Sequence, residues 1–118
     1  MAWLARTFTS DAGGKPVEDW IESLDPAGKA ELLILIELLE RYGTVLREPF
    51  AKHVEGGIWE LRAKGPDNVY RVLYFHWFGH TFGLLHGFTK KTQKTPRSEI
   101  DIAKRRRATW LARPGTRR

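Results

Sequence analysis

Cysteine is absent from the 118 residues of this chain. Disulfide cross-links, thiolate nucleophiles and cysteine-ligated zinc or iron–sulfur sites are therefore excluded. Long apolar runs are also missing. The longest, residues 32–39, is interrupted by Glu37 and is far shorter than the roughly 20 residues of a membrane span. The start of the chain lacks the positively charged residues and the following apolar stretch of a secretory signal peptide. We therefore expect a cytoplasmic protein with no membrane partner.

The composition is that of one folded domain. Hydrophobic residues make up 42% and charged residues 29% of the chain, and five Trp, six Phe and three Tyr supply bulk for a core. Neither a repeat nor a low-complexity linker divides the sequence, so we expect a single domain over residues 1–112. Residues 113–118, which contain three arginines, Pro114 and Gly115, predict a basic disordered tail.

Positive charge is concentrated near the carboxyl end. Residues 1–87 hold 9 basic and 12 acidic side chains, whereas residues 88–118 hold 11 basic and 2 acidic ones. This distribution indicates a polyanionic partner, either a nucleic acid or an acidic protein. The simpler alternative is a solvated basic segment that binds nothing in particular.

The first half of the chain predicts one strand and two helices. Residues 3–9 alternate as a strand, and residues 16–24 carry apolar side chains at helical spacing. Asp25 as N-cap and Pro26 in the first turn begin a second helix. That helix ends at Gly43, a residue suited to the left-handed conformation at a helix stop.

The second half predicts strands and then a basic helix. Residues 44–57 are interpreted as a loop, followed by three strands in an antiparallel meander over residues 58–62, 69–77 and 81–88. Thr95 as N-cap and Pro96 open a helix that runs to Ala112. We therefore expect an α+β fold with its helices packed against one face of the sheet.

Charged residues on these strands could form a phosphate site. Period-two geometry places Glu60 and Arg62 on one face of their strand, and the following turn can bring Arg71 close to Arg62. Further cations follow the last strand: Lys90, Lys91 and Lys94. At one end of a sheet, arginines could bind two phosphate oxygens at once and lysines could add flexible positive charges, which together would form a phosphate site. The alternative is that both arginines are ordinary surface residues, paired with Glu60.

The four histidines do not predict a metal site. His76 and His80 are four residues apart, but they lie in a predicted hairpin, where this spacing does not form one ligand face. We therefore expect neither a metal nor another cofactor. His86 is interpreted as a strand residue near the charged cluster.

Three segments resemble the phage-derived branch of the RelE/HigB toxin family, the toxin halves of type II toxin–antitoxin pairs. They are Ile-Trp-Glu-Leu-Arg at 58–62, Tyr-Arg-Val-Leu-Tyr-Phe at 70–75, and Leu-Leu-His-Gly-Phe-Thr-Lys-Lys-Thr-Gln-Lys-Thr-Pro at 84–96. The part at 88–96 is the most specific. The resemblance implies a RelE-like fold and a metal-independent mRNA endoribonuclease that acts in the ribosome, where a ribose 2′-OH attacks the neighbouring phosphate.

Roles for individual residues follow from this resemblance alone. Arg62 and Arg71 match the strand arginines that hold the scissile phosphate, and the basic residues after the last strand match Lys91 and Lys94, with Lys90 beside them. Other branches often place a Tyr or His near the carboxyl end, where this chain has Trp110 and arginines. The general base therefore stays open between Glu60, His86 and a lysine of lowered pKa.

The resemblance also implies partners. The expected antitoxin is a HigA-like helix-turn-helix protein encoded next door, and promoter DNA would be bound only through the complex with it. Ribosomal RNA is expected to contact four residues of the basic helix, namely Lys104, Arg105, Arg106 and Arg107. A ParE-like gyrase-inhibiting toxin and a non-catalytic basic RNA-binding module are the alternatives. Because a site arginine should contribute little to packing, we expect Arg71→Ala to abolish activity and leave the fold intact.

Overall fold

Strands and helices follow one another along the chain in an α+β order. The computed structural model describes residues 2–65, 68–90 and 94–113. Its elements are β1 (Leu4–Thr7), α1 (Pro16–Glu22), α2 (Pro26–Tyr42), a 3₁₀ turn (Gly43–Val45), β2 (Ala51–Glu55), β3 (Ile58–Lys64), β4 (Val69–Phe78), β5 (Thr81–Lys90) and α3 (Arg97–Ala112). The α+β class predicted from the sequence is confirmed. Within these residues, no helix is both long enough and apolar enough to cross a membrane.

The strands form one sheet in the order β1-β5-β4-β3-β2. Strands β2 to β5 are an antiparallel meander, and β1 pairs in parallel with β5 at the far edge. The meander therefore has one strand more than predicted, because β2 lies inside the segment interpreted as a loop. Its residues Lys52 and His53 are both exposed. An edge strand of this kind shows little of the apolar alternation by which strands are recognised.

The helices cover both faces of the sheet, so the expectation that they share one face is wrong. One apolar cluster joins α1 and α2 to Val72 and Tyr74 of β4, whereas a second joins α3 to Leu73 and Phe75. Because successive residues of a strand point to opposite faces, α3 packs on the face opposite α1 and α2. Strand β4 carries apolar residues on both of its faces. Its sequence therefore does not show which face each helix covers.

The predicted boundaries of α2 are confirmed, and they fix the helix against the sheet. The Asp25 carboxylate accepts a hydrogen bond from the Gly28 backbone N–H and another, of 2.7 Å, from the Tyr70 hydroxyl. The Tyr70 hydrogen bond is the main cause of a lowered Asp25 pKa. The helix ends at Gly43, whose φ of 60° and close contact with the Trp3 ring leave no room for a side chain.

Helix α3 begins differently from the prediction. Its N-cap is Pro96 and its first residue is Arg97, and no side chain caps it. Thr95 is therefore not the N-cap. Its hydroxyl instead donates to the buried carboxylate of Glu60 on β3. This contact joins the start of α3 to the sheet.

Candidate functional site: a cationic cleft around Glu60

A buried carboxylate organises the charged residues of β3 and β4. The Glu60 side chain is fully buried, and its Oε2 accepts a hydrogen bond of 2.6 Å from Arg62 Nε. Its Oε1 accepts from the Thr95 hydroxyl and lies 3.8 Å from Arg71 Nη1. Arg71 Nη1 in turn donates to Thr95 Oγ1 at 3.3 Å. Glu60 therefore holds two arginines and the approach to α3 in one network.

The two arginines lie side by side, as the sequence predicted, but in different environments. Arg62 and Arg71 are direct partners across the β3–β4 ladder. The Arg62 side chain is 25% exposed, whereas that of Arg71 is 3% exposed. Burial lowers the pKa of Arg71, and the charge of Glu60 opposes that shift. Of the two, Arg62 is the one whose side chain reaches the cleft described below, whereas Arg71 is buried beside Glu60.

The burial of Arg71 overturns one expectation. The sequence suggested that this residue contributes little to packing, yet it is one of two charged residues that the described part of the chain buries almost completely. The other is its neighbour Glu60. A buried ion pair is strongly destabilised when one partner is removed. Loss of activity in Arg71→Ala would therefore not by itself identify a catalytic role.

An open cleft of about 360 Å³ lies in front of Glu60, between the β2–β3 hairpin and the start of α3. Its lining is mostly polar and comprises Lys52, His53, Val54, Glu55, Glu60, Arg62, Lys94, Thr95, Arg97 and Ile100. Lys52 is the register partner of Glu60 across the β2–β3 ladder, so both side chains lie on the α3 side of the sheet. Cations from three segments thus converge on one opening, a suitable place for an anion.

The rim of the cleft carries a second ion-pair network. Arg97 donates to the Glu55 carboxylate through two nitrogens, at 2.6 and 3.1 Å, and Lys104 Nζ donates to it at 2.7 Å. Hydrogen bonds from Arg97, then from Lys104, lower the pKa of Glu55 to about 2. Glu55 therefore stays ionised at any ordinary pH and ties β2 to α3. It also neutralises charge that a bound polyanion could otherwise use.

His86 lies outside the cleft, in a separate cluster under α3. Its Nε2 is 2.7 Å from Glu99 Oε1, and its Nδ1 is 3.2 Å from Arg106 Nη1. Because Arg106 can only donate, the ring carries its proton on Nε2 and donates to Glu99. Burial lowers the His86 pKa, with Glu99 opposing and the charge of Arg106 assisting. Both ring nitrogens are engaged within this cluster, and His86 is not among the described residues that line the cleft.

Comparison with known proteins gives the family. The model of the family described as phage derived protein Gp49-like (DUF891) matches residues 19–108. Two curated relatives from Mycobacterium tuberculosis, strains CDC 1551 / Oshkosh and ATCC 25618 / H37Rv, are each named "Probable endoribonuclease HigB1". Each is 33% identical over 105 residues, which cover 87% of this chain and 81% of the relative. The chain belongs to the RelE/HigB toxin family. Membership implies an antitoxin partner.

The lysines that the resemblance singled out have different places in this RelE/HigB-family chain. Lys94 lines the cleft together with Arg62. Lys90 ends β5 beside Val69 of β4, and it does not line the cleft. Lys91 lies outside the described residues. Of the two lysines of this group that the structure describes, Lys94 is the one brought to Glu60 and Arg62.

The basic residues of α3 divide into outward and inward side chains. Lys104 and Arg105 are exposed, although Lys104 is engaged by Glu55. Arg106 turns inward, donates to the Leu85 carbonyl at 3.0 Å and has its pKa lowered by burial. Arg107 is half-buried. The four residues expected to contact ribosomal RNA therefore do not form one uniform surface.

Sequence reasoning missed two cationic residues of the cleft, Lys52 and Arg97. Recognition of residues 51–55 as a strand would have placed Lys52 opposite Glu60. The neighbouring His53 packs its ring against Trp59, with centroids 5.3 Å apart, and its Nε2 hydrogen-bonds the Gly56 carbonyl. Among the described residues, no group of three or more His, Cys, Asp or Glu side chains could hold a metal ion.

Proposed function

We propose that this protein is the toxin of a type II toxin–antitoxin pair and a metal-independent endoribonuclease that cuts mRNA in the ribosome and arrests translation. The observation that carries the proposal is the cleft in which Arg62, Lys52 and Lys94 converge, with Arg62 fixed by the buried Glu60. The cleft opens to solvent, and its cations suit a phosphate. The relatives named probable endoribonucleases support the same reaction class.

The proposed reaction is an internal transesterification. The 2′-oxygen loses its proton and forms a bond to the adjacent phosphorus, and the bond from phosphorus to the 5′-oxygen breaks. The leaving oxygen takes up a proton, giving a 2′,3′-cyclic phosphate on one fragment and a 5′-OH on the other. The phosphorane in between carries more negative charge than the ground state. Preorganised cations therefore stabilise it more strongly than they stabilise the substrate.

Arg62 is proposed as the principal ligand of the phosphate. Its Nε is bound to Glu60 at 2.6 Å, which orients the planar guanidinium while leaving it partly exposed to the cleft. Lys52 and Lys94, which line the same cleft, add mobile positive charge. The Arg62 guanidinium, fixed by Glu60, needs no reorganisation when charge develops during the reaction.

Glu60 is proposed as a positioning residue rather than the general base. Both of its oxygens accept hydrogen bonds, from Arg62 and from Thr95, and the side chain is fully buried. A general base must come within hydrogen-bond reach of the 2′-OH. Arg71 would act through the same network, by supporting Glu60 and Thr95.

The partners follow from this assignment. A HigA-like helix-turn-helix antitoxin would hold the toxin, and the complex would bind promoter DNA through the antitoxin. The encounter with the ribosome in the cytoplasm would use the exposed cations of α3, Lys104 and Arg105. RNA contacts of this kind are strongly salt-dependent.

Inducible expression in a bacterium, with mRNA 5′ ends mapped within minutes, tests the proposal. Lys94→Ala and Lys15→Ala form a matched pair, because both lysines are exposed and only Lys94 lines the cleft. We expect new cuts inside translated regions with wild type and Lys15→Ala, and about 100-fold fewer with Lys94→Ala. Growth arrest with intact messages would refute the nuclease and favour the gyrase alternative. Harmless expression would favour a non-catalytic RNA-binding module.

A further inference from the structure

A second cavity, larger than the cleft, opens beside α2. This α2 groove has a volume of about 620 Å³, and its apolar floor consists of Ile34, Leu35, Leu38, Pro49, Phe50 and Val69. It lies between α2, the segment before β2, and the adjoining ends of β3 and β4. The reaction proposed above needs no apolar groove.

The α2 side of the groove is one continuous helical stripe. Glu31, Ile34, Leu35 and Leu38 follow the i, i+3, i+4, i+7 spacing that lines one face of a helix. Ile34 is 51% exposed, and Phe50 on the opposite side of the groove is 42% exposed. Large apolar side chains exposed around a concavity mark a surface for another molecule. A second helix could lay its apolar face along this stripe.

The charge around the groove is biased towards cations. Its lining includes Lys64, Arg62 and Arg71, against a single carboxylate, Glu31. Both arginines contact the one buried carboxylate of Glu60, so cations outnumber carboxylates among the described residues of this corner. Lys64 is exposed at the end of β3 and adds to that excess. An occupant with acidic residues beside its apolar face would complement this rim.

We propose that the α2 groove binds an acidic amphipathic helix of a protein partner, which, resting on the proposed toxin function, is the antitoxin. Arg62 lines both the groove and the cleft. A helix in the groove therefore lies against the wall of the cleft and competes with RNA for the same guanidinium. Binding of the partner would by itself inhibit the toxin, because it engages the Arg62 guanidinium that the RNA needs.

Two adjacent residues of α2 provide the test. Leu33 and Ile34 are similarly exposed, at 45% and 51%, but only Ile34 lines the groove. Each is changed to Asp, and the affinity for the purified protein encoded beside the toxin gene is measured by calorimetry. Phe50→Asp tests the opposite side of the groove independently. Thermal unfolding of every variant confirms that it is folded, and RNA cleavage is measured in parallel.

We expect Ile34→Asp and Phe50→Asp to weaken binding at least about 30-fold, the effect of losing a buried interface anchor. Leu33→Asp should stay within about threefold of wild type, and all three variants should cleave RNA normally. Lys64→Gln should weaken binding and flatten its salt dependence, unlike Lys15→Gln at the exposed N-cap position of α1.

Several results would overturn the proposal. One is an unchanged affinity for the partner in Ile34→Asp and Phe50→Asp. Another is an equal loss of affinity in Leu33→Asp and Ile34→Asp. A third is a wild-type protein that does not bind the protein encoded beside it. A groove that serves RNA would show reduced cleavage with unchanged partner binding. The binding assay does not depend on catalysis. It therefore tests the groove even if the protein proves not to be a nuclease.

Discussion

Glu60 and Arg71 form a buried pair in which Glu60 Oε1 lies 3.8 Å from Arg71 Nη1, and Thr95 Oγ1 bonds to both side chains. The pair lies behind the exposed guanidinium of Arg62, which it helps to fix. Stability and function are therefore linked at this point. Arg71, which the sequence predicts as a phosphate ligand, is the more deeply buried of the two arginines.

The first prediction concerns Arg71→Ala. Removing this guanidinium leaves the buried Glu60 with one cation fewer and Thr95 without a donor. Because Arg62 still pairs with Glu60, we expect a loss at the lower end for broken buried pairs, about 3 kcal/mol of unfolding free energy. Urea unfolding measures it. Adding Glu60→Gln should recover part of the loss, since it removes the buried charge. A variant as stable as wild type would contradict the pairing.

The second prediction separates two neighbouring residues of β2. Lys52 lies opposite Glu60 on the α3 side of the sheet, whereas His53, although it also borders the cleft, packs its ring against Trp59. We expect Lys52→Ala to lower single-turnover cleavage about 10- to 100-fold and His53→Ala to retain most of the activity. Thermal unfolding of both variants serves as the control. The reverse order of effects would show that His53, not Lys52, faces the RNA.

The third prediction is a gain in RNA binding. Glu55 binds Arg97 and Lys104 at the rim of the cleft, so Glu55→Gln should release Lys104 and loosen Arg97, which keeps its longer ion pair of 3.6 Å with Asp101. Affinity for single-stranded RNA should rise, and the slope of log K against log salt should steepen by up to about 1.4, the value for two added phosphate contacts. Glu22→Gln breaks the Lys29 pair instead and is the matched control. An unchanged slope in Glu55→Gln would place these cations away from the RNA path.

The fourth prediction concerns stability against pH. Burial holds the His86 pKa below its ordinary value of 6.5, despite Glu99, and Arg106 adds to the shift. The unfolded chain therefore binds the extra proton more readily, and this contribution to stability is present above pH 6.5 and lost as pH falls through the folded-state pKa. His86→Gln should show a smaller decline in melting temperature between pH 7 and 5. His80→Gln, at an exposed position, should follow wild type. Parallel curves for His86→Gln and wild type would refute the shift.

Local signals predicted much of the fold. Asp25, Pro26 and Gly43 gave the bounds of α2, because capping and helix-stop chemistry act within a few residues. The period-two pattern also placed Arg62 beside Arg71. The pattern could not show that α3 covers the second face of the sheet, and therefore could not show that Glu60 and Arg71 are buried.

Other features depend on contacts distant in sequence. Strand β2 has an exposed polar face, so its sequence predicts a loop and does not indicate that Lys52 lies opposite Glu60. Thr95 has the sequence context of an N-cap, yet its hydroxyl donates to Glu60, 35 residues away. A buried carboxylate competes successfully for a hydroxyl that local rules assign to the helix. Such competition is decided by the tertiary fold.

The most direct test of the proposed reaction replaces one oxygen of the substrate. Ribosomes are programmed with an mRNA whose cut position has been mapped, and with the same mRNA carrying 2′-deoxyribose at that position. The account predicts a 5′-OH fragment from the ribose substrate and none from the deoxyribose substrate, since the attacking oxygen is missing. Cleavage of both substrates, or of neither, would contradict it.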